Sequence, residues 1–378
     1  MRLLIFVDWF LPGYKAGGQI SSCSNIVYAL KDELDIYIIT RDRDLDDEVP
    51  YAGIVANEWN DFEGRVKINY VSPGQATYVN IKKLIKEVSP ATIYFNSMFS
   101  FRFTLLPLRG AGQLAGTTKI VLAPRGMLQS GALRFKSFKK NTVLNVLYYT
   151  GMFKNVLFHA TDETEVQDIK KNIKGKPAIQ LVYDFPAVKQ EPFAPVDKQE
   201  GHLKCLFVSR IVGKKNLLFL LQAMAATKQT VSLTIAGPVE DKDYWEACQQ
   251  QIAELPSNCS VAYVGSIPNT QLPAIYRQHH LFVLPTWGEN FGHVIFDSFI
   301  NGRPVLISDR TPWQQLSGKK IGFDINITDK EAFVEALEYF AAMPGSEMEQ
   351  WCHSAWSFAQ ERIKQVTGLK DQYKSLFS

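Results

Sequence analysis

The chain has 378 residues, too many for one ordinary core and a natural length for two domains of similar size. Its 46% hydrophobic and 21% charged residues, with no low-complexity tract, describe a globular protein throughout. A formal net charge of +3 excludes bulk nucleic-acid binding, and five scattered cysteines without C-x-x-C or Cys/His spacing exclude a disulfide framework and a zinc site.

The opening MRLLIFVDWF is apolar but broken by Asp8 and lacks a small-residue cleavage pattern, so it reads as a first strand rather than a signal peptide. No run of about 18 apolar residues follows anywhere, so no membrane span is expected, and a reducing cytoplasm is the expected compartment. Short apolar runs at 2–8, 35–40, 66–71, 91–97, 119–125 and 156–161 then alternate with helix-length segments. They are nearly continuous in apolar character, as strands covered on both faces are. A doubly wound α/β domain over 1–185 is predicted.

Residues 186–202 hold Pro186, Pro192 and Pro195 among charges and read as a linker. The pattern restarts with runs at 203–210, 231–237, 259–265, 280–286 and 304–309, which predicts a second doubly wound domain over 203–347. The segment 348–378 is helical in pattern and long enough to return to the first domain. Two such sheets can line a ligand cleft with their carboxyl ends.

The residues that carry chemistry concentrate in the second half. Arg210 closes the 203–210 run, and Lys215 stands at the start of a helix predicted to be capped by Asn216. The two are either solvated charges or a clamp for a diphosphate, a guanidinium and an ammonium beside helix amides. The 280–286 run continues into TWGENFGHVIFDSF, a turn with Gly288 and Gly292 followed by a helix. Glycines admit a ligand close to the backbone, and the first helix amides offer an anion site. Glu289 and Asp297 lie a little over two helical turns apart, so both can serve one ligand.

This segment resembles the acidic motif of the family 4 retaining glycosyltransferases of GT-B fold, and S-R-x-x-x-x-K-N resembles the Arg/Lys diphosphate motif of that family. The resemblance implies that Arg210, Lys215 and Glu289 are the catalytic set, with Glu289 on hydroxyls of the donor sugar. It implies donor contacts from the amides of Asn290, Phe291 and Gly292, and ribose contact from Asp297, which replaces the usual glutamate. Ser266 and Ile267, in the loop after Gly265, are implied to hold the nucleotide base through their backbone.

In the first half, Gly17 and Gly18 resemble the glycine-rich loop of the family and are assigned to donor binding, though any strand-to-helix turn can carry such a pair. Arg125 stands where relatives carry a histidine-bearing segment, and is assigned contact with sugar, phosphate or an acidic acceptor. Arg134, Lys136, Lys139 and Lys140, interleaved with Phe135 and Phe138, are either a solvated helix face or a patch attracting anionic lipid head groups or a polyprenyl diphosphate acceptor. His159 is read as a packed strand-end residue, and His279 and His280 as structural. Asp42-Arg43-Asp44 matches the D-x-D metal pattern of a different glycosyltransferase fold but is read as a solvated loop, so no metal and no cofactor are expected.

The resulting expectation is a retaining, metal-independent transferase. It takes a nucleotide diphosphate sugar and serves a glycan or lipid-linked acceptor in surface polysaccharide biosynthesis. Peripheral contact at the inner face of a membrane is part of that expectation. The rival readings are a GT-B nucleotide-sugar epimerase and a non-catalytic nucleotide-sugar-binding subunit.

Overall fold

A computed structural model describes residues 1–112, 118–129, 137–187 and 191–378, with 137–141 described by backbone alone. The chain forms two compact units: Met1–Val188 with Gln365–Ser378, and Lys189–Lys364.

The first unit is built on an eight-stranded sheet. Its strands are β1 (Arg2–Phe6), β2 (Asp35–Arg41), β3 (Trp59–Asp61), β4 (Val66–Val71), β5 (Thr92–Phe95), β6 (Lys119–Leu122), β7 (Val156–Ala160) and β8 (Ala178–Leu181), in the order β3-β4-β2-β1-β5-β6-β7-β8. All pairings are parallel except β3 with β4. Side chains alternate across a strand, so β1 sends Leu3 and Ile5 into one apolar cluster and Leu4 and Phe6 into the other. Both faces are therefore buried, which is why the run carries no polar alternation.

The second unit is a six-stranded, wholly parallel sheet of β9 (His202–Val208), β10 (Thr230–Ala236), β11 (Cys259–Tyr263), β12 (Leu281–Leu284), β13 (Val305–Ser308) and β14 (Gly322–Ile325). The order β11-β10-β9-β12-β13-β14 is that of a doubly wound nucleotide-binding sheet.

Two features of the connection differ from the sequence-based expectation. The proline-rich stretch has no helix or strand, but from Glu191 onward it lies along the second unit. Lys198 is buried and donates to the carbonyls of Ala341 (2.8 Å) and Met343 (3.2 Å), Arg303 donates to that of Ala194 (3.0 Å), and the Trp356 indole donates to that of Glu191 (2.7 Å). The stretch has carbonyls outside any ladder, and Arg303 and Trp356 take those of Ala194 and Glu191, while Lys198 takes carbonyls at the end of the helix Lys330–Ala342.

The C-terminal segment is divided rather than returning as a whole. The helix Gly345–Lys364 buries Met348, Trp351, Cys352, Ala355 and Ala359, a helical stripe that belongs to the second unit. A new helix, Val366–Phe377, places Tyr373, Leu376 and Phe377 in the same cluster as Leu3 and Ile5. Among the described residues no helix is long and apolar enough to cross a membrane.

Candidate functional site

The strand order of the second sheet reverses between β9 and β12, which pair directly through Leu281 and Cys205 and through Phe282 and Leu206. Connections leave the two carboxyl ends in opposite directions there, and the crevice they open is where doubly wound sheets take ligands. Arg210 and Lys215 follow β9, and Glu289 follows β12.

Lys215 closes a short turn, Gly213–Lys215, of the tighter 3-10 type. Asn216 is left-handed (φ 59°) and makes no side-chain cap, contrary to the expectation from sequence. Its N–H instead bonds Gly213, so the turn and the helix Leu217–Met224 meet at a corner. That corner is fixed to the β12 loop: Trp287 N–H donates to the Lys214 carbonyl at 2.9 Å, and Thr286 Oγ1 bonds both the Lys214 and Gly288 carbonyls. Glu289 N–H donates to the Arg310 carbonyl at 3.1 Å.

With both loops held, the Lys215 ammonium bonds the Glu289 carboxylate, and the two side chains are only 13% and 14% exposed. Burial alone would raise the carboxyl pKa; the charges of Lys215 and Lys214 and the Lys215 and Thr286 hydrogen bonds outweigh it and hold Glu289 below its ordinary value. An ammonium has three donors, so Lys215 can keep Glu289 and still face a second anion. Arg210 forms a more exposed pair with Glu240 instead.

Gly292 precedes the helix His293–Ile300 in the left-handed region (φ 75°), and a Cβ there would stand 2.9 Å from Ile295 Cδ1. No other residue fits without strain. The neighbouring peptide is set by Trp313, a residue that sequence reasoning did not single out. Its indole N–H donates to the Phe291 carbonyl at 2.6 Å, and its ring stacks on Phe296 and meets Phe291 edge-on. A trans peptide is planar with its carbonyl and N–H opposed, so holding the Phe291 carbonyl against Trp313 turns the Gly292 N–H the other way. Asp297 is partly buried on this helix, near enough for its charge to raise the Tyr276 pKa after burial has done so. Ser266 and Ile267 follow β11 at the same edge of the sheet, both partly buried.

In the first unit, Gly17 (φ 62°) opens the helix Gly18–Leu30, with open space extending at least 4 Å from where a Cβ would stand. Arg125 does not present its guanidinium to a ligand. Nε bonds Asn96 (2.8 Å), Nη2 the Tyr94 hydroxyl (2.8 Å), and Nη1 the buried Asp184 carboxylate, so the expected donor contact is replaced by an internal network. His159 belongs to it: Nε2 donates to the Val182 carbonyl, Nδ1 accepts from Tyr94, and burial with the Arg125 charge pushes its pKa down to about 3. Asp42 and Asp44 are buried, not solvated as expected. Asp42 pairs with Arg43, and Asp44 accepts the N–H groups of Tyr14, Lys15 and Leu45. Arg134 and Lys136 lie outside the described residues, as do the side chains of Lys139 and Lys140. His279 and His280 are buried and hydrogen-bonded, the first to Thr234 and Ile275, the second to Asp197 and Lys204.

Residues 188–355 match the family described as glycosyl transferases group 1. Among curated proteins the chain is similar to an uncharacterised glycosyltransferase of Methanocaldococcus jannaschii (29% identity, 29% of this chain and 28% of that one). It is also similar to an uncharacterised 41.2 kDa protein in the cps region of Klebsiella pneumoniae (23% identity, 53% and 56%) and to the O-antigen chain mannosyltransferase B of Escherichia coli (28% identity, 30% and 30%). The match thus spans little more than half of these relatives at most. Among solved structures, Anabaena HepE in complex with UDP and glucose superposes with a TM-score of 0.71 at 14% identity over 100% of this chain and 99% of that one. WaaG, a glycosyltransferase involved in lipopolysaccharide biosynthesis, does so with a TM-score of 0.64 at 13% identity over 100% of both. The fold is GT-B.

Proposed function

We propose, for a chain whose residues 188–355 match the glycosyl transferases group 1 family, transfer of a sugar from a nucleotide diphosphate donor to a glycan or lipid-linked glycan acceptor. The observation that carries this is the Lys215–Glu289 pair at the switch point, beside a helix opened by Gly292. A cation and the first amides of a helix suit a diphosphate, and a carboxylate at the rim suits sugar hydroxyls. As the sugar leaves, negative charge grows on the diphosphate, and Lys215 with the amides of Phe291, Gly292 and His293 stabilises it. Arg210 joins them by exchanging Glu240 for a phosphate oxygen, and Asp297, Ser266 and Ile267 hold the nucleoside.

The deciding experiment is a thermal-shift screen of nucleoside diphosphates and their sugars. It is followed by NMR of the product formed on an acceptor glycan. Selective stabilisation by one diphosphate series and a product that keeps the donor's anomeric configuration are expected. An inverted product overturns retention, and an epimerised donor without acceptor overturns transfer.

Metal-independent transfer is part of the proposal, supported by the engagement of Asp42 and Asp44 within the protein. Activity should survive excess EDTA. Loss that manganese restores would show the opposite.

The relatives named for a cps region and as an O-antigen chain mannosyltransferase favour a surface-polysaccharide acceptor. The basic stretch of Arg134, Lys136, Lys139 and Lys140 favours peripheral contact with an anionic membrane. Changing these four to glutamine should reduce co-sedimentation with phosphatidylglycerol vesicles, and unchanged co-sedimentation removes the membrane from the proposal.

Trp313→Phe keeps a ring but loses the indole donor to Phe291. A hydrogen bond of this kind is worth about 1 kcal/mol net, with more lost when the acceptor is left buried, so turnover should fall roughly tenfold. Calorimetric unfolding should show a loss of about 1–2 kcal/mol beside it; an unchanged turnover would remove Trp313 from the donor site.

A further inference from the structure

The second unit holds a cavity of about 500 Å³ lined by Lys204, Ser232, Thr234, Arg277, Gln278 and Asp197, among others. Lys204 and Ser232 are register partners on β9 and β10, and Thr234 is two residues further along the same face. They form the floor, with the turn 277–279 and the segment 195–197 as walls. Lys204 and Ser232 lie in the amino-terminal halves of β9 and β10, and the walls precede β9 and β12, whereas Arg210, Lys215 and Glu289 follow carboxyl ends. The cavity is therefore separate from the donor site.

Its lining has more donors than acceptors. Among the described residues the Lys204 ammonium has no hydrogen-bonded or ion-paired partner, and of the Arg277 nitrogens only Nη2 has one, Glu191. Gln278 adds an exposed amide. Among the described residues Asp197 is the one carboxylate in the lining. The Thr234 hydroxyl is already given to His279 at 2.8 Å.

The Lys204 ammonium, the Arg277 nitrogens that Glu191 does not engage and the Gln278 amide offer protons to an anion with several oxygens. Volume and wall chemistry narrow the choice further. The space is within the ordinary range for small-molecule sites and exceeds what an isolated phosphate fills. Among the described residues the lining holds no phenylalanine, tyrosine or tryptophan to stack a nucleobase, while Ser232, Gln278 and Asp197 offer hydrogen bonds to hydroxyl groups.

We propose that this cavity binds a phosphorylated monosaccharide, with the phosphate on Lys204 and Arg277 and the sugar hydroxyls on Ser232, Gln278 and Asp197. The test is calorimetric titration of the full-length protein with glucose 6-phosphate, glucose and inorganic phosphate, with and without saturating nucleoside diphosphate. Glucose 6-phosphate should bind at least tenfold more tightly than either of the others and still bind when the diphosphate is present. Lys204→Met and Arg277→Gln should each weaken it at least tenfold and leave diphosphate binding unchanged. Lys204 is an exposed strand residue, so its variant tests the ligand rather than the fold. Equal binding of phosphate alone, displacement by the diphosphate, or full affinity in Lys204→Met would each overturn the proposal.

Discussion

Replacing Lys215 by alanine is expected to lower turnover by a factor of about 10² to 10³, the usual effect of removing one preorganised donor from a developing oxyanion. Two consequences of the observed pair make the experiment more telling. The variant leaves the Glu289 carboxylate with Lys214 as its nearest remaining cation, and burial then pushes its pKa upward. Stability must follow. In the wild type the carboxyl is held low, so its contribution is fully present above the ordinary glutamate value of 4.5 and lost as the pH falls through the lower folded-state value. In Lys215→Ala, where burial raises the carboxyl pKa, that acid-side loss should vanish or reverse: the ionised carboxylate then costs stability at neutral pH, and protonation relieves the cost as the pH falls. The paired measurements are single-turnover rate and unfolding midpoint across pH 4 to 8. A rate within threefold of wild type would remove Lys215 from the chemistry, whatever the stability does.

The second large effect belongs to the first unit. Asp184→Asn takes away a carboxylate that bonds Arg125, whose side chain is 6% exposed against 1% for Asp184. Removing one partner of a buried ion pair leaves an uncompensated charge and costs about 3–5 kcal/mol. For a unit of this size that corresponds to a fall of roughly 10 °C in its unfolding midpoint. The double variant Arg125→Met/Asp184→Asn, which removes both charges, should cost less than Asp184→Asn, because it leaves neither a buried cation nor a buried carboxylate without its partner. Scanning calorimetry of both variants checks the order. A neutral Asp184→Asn would return Arg125 to the list of ligand contacts.

That pair also shows where the sequence stops being informative. The position of Arg125 after an apolar run is readable and suggests a strand end at a binding edge. Its true partners, Tyr94, Asn96 and Asp184, come from separate places in the chain and are set by tertiary packing. Trp313 has the same problem in sharper form: its partner is a backbone carbonyl, which leaves no mark on the sequence at either residue. Strands such as β1, β5 and β12 were legible because burial on both faces demands unbroken apolar runs. β3, β8 and β14 were not, since Trp59-Asn60-Asp61 and Gly322-Phe323-Asp324-Ile325 are short sheet segments with polar or charged members. The Lys215–Glu289 segments could be found because strand ends, glycines and charges coincide there. The corner at Asn216 could not, because a cap and a left-handed junction use the same residue type.

The helix Val366–Phe377 has a consequence for how the protein is made. Its Tyr373, Leu376 and Phe377 complete an apolar cluster begun at Leu3. On a ribosome the amino-terminal part of a chain emerges first and ordinarily folds first. Here that unit stays unfinished until Phe377 has been synthesised, so the second unit, continuous from Lys189 to Lys364, is the one able to reach its native core earlier in translation.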